Sequence, residues 1–117
     1  MSRITIADLE VFYRVGVTEE ERAHPQRLQL TVDLNFDFSV AAVSDRLEKT
    51  INYYDVAQDL LKFGEGRNWK LLEKLTLNLA DMILLKYQAQ AVTVEVKKFV
   101  IPQARHVAVS LTRTRPR

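Results

Sequence analysis

Apolar and polar residues alternate without a fault through "RLQLTVDLNFDF": Leu28, Leu30, Val32, Leu34, Phe36 and Phe38 fall on one side, Gln29, Thr31, Asp33, Asn35 and Asp37 on the other. A period of two over this length predicts a long strand buried on one face. Upstream, "RITIADLEVFYRV" alternates at Ile4 and Ile6 and again at Leu9, Val11, Tyr13 and Val15. The slip of phase near Ala7 predicts a bulge within a first strand. "AVTVEVKKF" and "RHVAVSLTR" supply two more strands, with Val92, Val94 and Val96, then Val107, Val109 and Leu111, on their apolar sides. Between the two strand pairs, two segments follow helical spacing. "NYYDVAQDLLKF" repeats at Tyr54, Ala57, Leu60 and Leu61 and is ended by Gly64 and Gly66. "LLEKLTLNLADMILL" repeats at Leu72, Leu75, Leu79, Met82 and Ile83, with Asn68 as its predicted N-cap. The order ββααββ predicts an α+β domain: a four-stranded antiparallel sheet with two helices on one face. The other face is mostly polar and is either wet or the lining of a cavity.

Several residues do not fit this pattern. Glu73 lies off the main apolar stripe of the second helix, yet its neighbours at i+4, i+7 and i+11 are Leu77, Ala80 and Leu84, a second apolar sector. Lys98 continues the even-numbered series of Val92, Val94 and Val96, so strand parity turns it toward the helix-covered side and Lys97 toward the polar side. A lysine there either snorkels to water at the strand end or serves a site. The first two strands are joined by the long link "GVTEEERAHPQ", in which Glu19, Glu20 and Glu21 make either a solvated acidic loop or part of that site. Tyr53 and Tyr54 open the first helix about 100° apart, so both cannot fill the same core position, and one is free for another task.

Composition narrows the chemistry. The 117 residues are 47% apolar, enough for one domain spanning 1–117 with a modest core. With no cysteine, disulfides, thiolate metal sites and cysteine nucleophiles are excluded, and a reducing cytoplasmic setting is compatible. The two histidines, His24 and His106, have no ligand partner at i+3 or i+4, so no metal site is expected. The net charge of +2, with three arginines in the tail "RTRPR", carries no basic stripe with interleaved aromatics, so nucleic acid is not an expected partner, and no segment reaches the ~20 apolar residues of a membrane span, so neither is a membrane.

Taken together, the ββααββ order, "GVTEEERAHPQ", "TINYYDV", "LLEKL" and the strand-end lysine of "VEVKKF" resemble dihydroneopterin aldolase and its relative dihydroneopterin triphosphate epimerase, from Arg3 to Arg113. The resemblance implies the tunnelling fold (T-fold) and an enzyme of folate biosynthesis that splits 7,8-dihydroneopterin into 6-hydroxymethyl-7,8-dihydropterin and glycolaldehyde, with no cofactor, metal or lysine Schiff base. It places the pterin anchor on Glu73, assisted by main-chain groups around Leu72. The catalytic lysine falls on Lys98, the tyrosine on Tyr53, and the loop glutamate on Glu21, chosen over Glu19 and Glu20 by its spacing from Gly16 and Gln26. The same resemblance implies a homo-octamer of two tetrameric rings with sites between subunits.

Two features bear on the member. "FVIPQARH" is short and carries only Pro102 where many aldolases have a longer, proline-rich loop, and "EEE" and "LLEKLT" suit the epimerase. Epimerisation at the 2′ carbon, on a free or triphosphorylated substrate, therefore stands beside cleavage. Arg22, His24, Arg27 and Arg105 are the candidates to meet phosphates. A non-catalytic pterin-binding or structural subunit is the alternative of another class.

Overall fold

The computed structural model of the chain describes residues 1–116. In chain order it contains β1 (Ser2–Val15), α1 (Glu19–Arg22), β2 (Gln26–Phe36), α2 (Ser39–Ser44), α3 (Tyr53–Lys62), β3 (Asn68–Trp69), α4 (Leu72–Lys86), β4 (Ala91–Lys98) and β5 (Val107–Thr114). A 3-10 turn, Leu47–Lys49, lies between α2 and α3. The predicted strands and helices are all present. In β2 every even position from Leu28 to Phe36 is buried, as the alternation requires. The phase slip in β1 is a bulge: the register against β2 shifts between Ile6 and Leu9, and Asp8 takes a φ of 53°. Aspartate tolerates that left-handed conformation, and here its N–H donates to Thr31 Oγ1 at 3.1 Å.

Two expectations need correction. The sheet has five strands in the order β3-β1-β2-β4-β5 and is mixed, because β3 runs parallel to the end of β1. Trp69 is the cause. It is 6% exposed, stacks on Phe63 at 5.7 Å and leans on Tyr13 at 5.6 Å. Seating its indole there lays residues 68–69 alongside β1, where the Gly16 N–H donates to the Trp69 carbonyl at 2.9 Å. Asn68 therefore belongs to a strand, and the N-cap of α4 is Leu71, which offers no side-chain hydrogen bond. The second correction concerns the links on either side of β2, for which the sequence predicts no elements of their own and which hold the short helices α1 and α2. Both are too short to show a helical period.

The two long helices lie on one face, α3 against β1 and α4 against β4 and β5. Between helices and sheet sits the core, including Leu28, Leu30, Val32, Leu60, Leu75, Leu79, Ile83, Val94 and Val96. The opposite face carries a hydrogen-bonded polar layer, in which Lys97 Nζ meets Asp8 at 2.8 Å and the hydroxyls of Thr93 and Thr112 lie 2.8 Å apart. The molecule is elongated, 50 Å in its longest extent, with a radius of gyration of 15.3 Å, against about 13 Å for a compact chain of this length. No helix among the described residues is long and apolar enough to cross a membrane.

Candidate active site at one end of the sheet

Strand register gathers the candidate residues at one end of the sheet. Lys98, last in β4, stands opposite Leu28 near the start of β2 and Val107 at the start of β5. Gln26, first in β2, stands opposite Tyr13 near the end of β1. Because β3 pairs with Arg14 and Val15, the chain re-emerges at this same end and turns into α4 within three residues. Leu72 and Glu73 thus occupy the first turn of a helix that starts beside the end of β1.

The Lys98 ammonium donates to Glu21 Oε2 at 2.6 Å, with 11% of the lysine side chain and 34% of the glutamate side chain exposed. Strand parity had turned Lys98 inward, and at 9% exposure it is the only charged residue of the buried set among the described residues. Of the three consecutive glutamates, Glu19 and Glu20 face solvent and only Glu21 turns in. Thr18 caps α1, its hydroxyl accepting from the Glu21 N–H at 3.1 Å. Gln26 Nε2 also donates to Glu21 Oε2, at 3.3 Å, and to the Val15 carbonyl at 2.7 Å. The hydrogen bond from Lys98, followed by that from Gln26, holds the Glu21 carboxyl below the ordinary carboxylate range. Gly16 lies directly beneath: a Cβ built there would collide with the Glu21 carboxylate.

Glu73 is exposed, at the mouth of this end rather than within it, and among the described residues its side chain has no hydrogen-bond or ion-pair partner. The Leu72 carbonyl accepts from the buried Thr76 hydroxyl at 2.7 Å. With no side-chain cap at Leu71, the first N–H groups of α4 are open donors beside the Glu73 carboxylate.

Tyr53 is elsewhere. It is 62% exposed at the N-terminus of α3, where Asn52 caps the helix. The other end of α3 is tied to the site end, since the Leu60 carbonyl accepts from the Tyr13 hydroxyl at 2.5 Å. Seven residues of helix separate Tyr53 from Leu60, roughly 10 Å along the axis. Tyr54 is equally exposed, at 63%, so neither tyrosine enters the core.

Two of the phosphate candidates are committed to other contacts. Arg22 donates to backbone carbonyls, and Arg27 lies 4.2 Å over the Phe99 ring. His24 and Arg105 are exposed. Gly16 and Gln26, which served only as spacing marks in the sequence, turn out to shape the seat of Glu21. A groove of about 660 Å³ between the segment after α3 and α4, lined by Phe63, Trp69, Asn78 and Met82 among others, includes none of the site residues.

Comparison with known proteins places this geometry in context. The dihydroneopterin aldolase family profile (FolB) matches residues 4–112. The Bacillus subtilis dihydroneopterin aldolase is 35% identical over 120 residues, covering 97% of this chain and 98% of its own. A Pseudomonas aeruginosa dihydroneopterin triphosphate 2′-epimerase is 25% identical, covering 97% and 90%. Among solved structures, Escherichia coli dihydroneopterin aldolase in complex with neopterin superposes with a TM-score of 0.91 at 25% identity, covering 97% of this chain and 99% of that one. A sheet end that joins a buried lysine to a loop glutamate, a profile match over nearly the whole length and a relative this similar agree: the chain belongs to the dihydroneopterin aldolase family.

Proposed function

We propose that this protein is a dihydroneopterin aldolase that cleaves the side chain of 7,8-dihydroneopterin, releasing glycolaldehyde and 6-hydroxymethyl-7,8-dihydropterin. The observation that carries the reading is the Lys98–Glu21 pair at 2.6 Å, set at the sheet end where Glu73 also emerges. A pterin ring presents a flat pair of N–H donors, which the Glu73 carboxylate accepts side by side, while open N–H groups at the start of α4 meet the ring's acceptors. Ring binding there directs the substrate's diol toward Lys98 and Glu21.

Cleavage requires the 2′-hydroxyl to lose its proton as the C1′–C2′ bond breaks. The released electron pair moves into the imine already present in the dihydropterin ring, so neither a metal ion nor a lysine Schiff base is needed. Lys98 handles the hydroxyl proton, directly or through water, and supports the ring nitrogen that gains electron density. Glu21 holds the diol or the water. The C1′ carbon of the resulting enamine then takes a proton from Tyr53 of a neighbouring subunit. Rotation of glycolaldehyde and recombination would give the 2′ epimer from the same residues, and the similarity to a triphosphate 2′-epimerase keeps that reaction beside cleavage.

The test is direct. Incubated with 7,8-dihydroneopterin, the protein is expected to yield both cleavage products, with an unchanged rate in the presence of chelator and of borohydride. Glycolaldehyde from neither the free substrate nor its triphosphate, with no epimer formed, would refute the reading.

A further inference from the structure

Glu21 sits on a helix of four residues, Glu19–Arg22. One turn is too short to hold its own shape, so something outside the turn must fix the carboxylate. Two arginines do so from opposite sides. Arg22 Nη1 donates to the Gly16 carbonyl and to the Val17 carbonyl, each at 2.8 Å, drawing the end of α1 back onto the end of β1. Arg14, in β1, donates in the reverse direction, to the Arg22 carbonyl at 3.4 Å and to the Ala23 carbonyl. Each guanidinium thus grips backbone oxygens at the terminus of the element that carries the other.

All four carbonyls lie at the ends of β1 and α1, where no regular ladder satisfies them. Among the described residues neither arginine is ion-paired with a carboxylate, although Arg22 directly follows three glutamates. We propose that Arg22, with Arg14 as its counterpart, is a positioning residue for the reaction: the reciprocal latch fixes α1 so that the Glu21 carboxylate rests over Gly16 at hydrogen-bonding distance from Lys98. This rests on the reading of Glu21 as a catalytic group. It also assigns Arg22 a task other than phosphate binding, since its donors already face the backbone.

The experiment compares Arg22→Met, Arg22→Lys, Glu21→Ala and the Glu21→Ala/Arg22→Met double variant, each checked for wild-type assembly size and circular dichroism. Methionine keeps the stem and removes the donors, so kcat should fall 10- to 100-fold, in line with the roughly 100-fold cost of a misplacement of about 1 Å. Pterin affinity by fluorescence should stay within twofold, because Glu73 is untouched. Lysine keeps a charged donor in reach and should restore part of kcat. In the Glu21→Ala background, Arg22→Met should cost less than a further twofold, since nothing remains to position. Hydrogen exchange should quicken at residues 16–23 in Arg22→Met, whatever the activity. Full kcat in Arg22→Met, or the same fold-loss in both backgrounds, overturns the latch. Full activity in Glu21→Ala overturns the catalytic reading of Glu21 instead, and the exchange data then report separately whether the arginines hold the turn.

Discussion

At the scale of the residue, the informative positions were charges in the wrong place. Lys98 was legible because a lysine in an even-numbered apolar series breaks a period of two, and the fold buries it as parity requires. Glu73 was legible as a carboxylate on an apolar sector, though in the folded chain it is exposed. Periodicity could not choose Glu21 among three glutamates, because its inward turn depends on Thr18, Gln26 and Gly16, residues whose own roles appear only in three dimensions. Adjacent lysines offer the sharpest check. Lys98→Ala should lower kcat by about 10²- to 10⁴-fold, the usual weight of a proton-transfer group, while still binding pterin. Lys97→Ala, which removes the contacts to Asp8 and Glu95 on the opposite sheet face, should keep activity within about twofold. Steady-state kinetics with a fluorescence titration decide it, and equal losses in the two variants would mean that the lysines have been assigned to the wrong faces.

At the scale of the element, the long strands and helices were legible since each repeats its period many times, whereas β3, α1 and α2 have too few residues to show one. The tie between the two long helices was also out of reach of pattern. Asp59 of α3 receives Lys86 of α4 at 2.8 Å and the hydroxyl of Tyr87 just beyond it. Burial pushes the Asp59 carboxyl up, but the hydrogen bonds from Lys86 and Tyr87 outweigh it and hold the carboxyl below its ordinary 3.8. Its contribution to stability is therefore complete above pH 3.8 and is lost as pH falls through the folded value. Burial, with Asp59 adding to it, pushes the Tyr87 phenol well above 10.0, so its part is complete below pH 10.0 and fades at higher pH. Asp59→Asn should cost about 1 kcal/mol at neutral pH. Thermal melts against pH should show that deficit shrinking toward zero in strong acid; a deficit independent of pH would dismiss the tie.

For the whole molecule, the exposure of Tyr53 and its absence from the Lys98–Glu21 contacts suit a site shared between subunits, and the sheet offers the means. β3 covers only Arg14 and Val15, so most of β1 is an unpaired edge, and β5 leaves a second on the far side. Pairing β1 of one subunit with β5 of the next would build a ring, and two rings stacked would make the octamer we propose. Glu73→Ala and Tyr53→Phe proteins, each nearly inactive, should then recover activity when unfolded and refolded together, because roughly a quarter of randomly mixed sites receive one intact residue from each side. Rings proven to be mixed yet still inactive would rule out the shared site. The same open edge bears on the chain before it meets a partner. Fourteen residues of β1 would be a ready template for indiscriminate sheet growth, but the bulge at Asp8 bends the strand midway, and Arg3, Glu10 and Arg14 stand exposed along it. A newly made protomer thus resists strangers along that border while a neighbour shaped to the bend can still close on it.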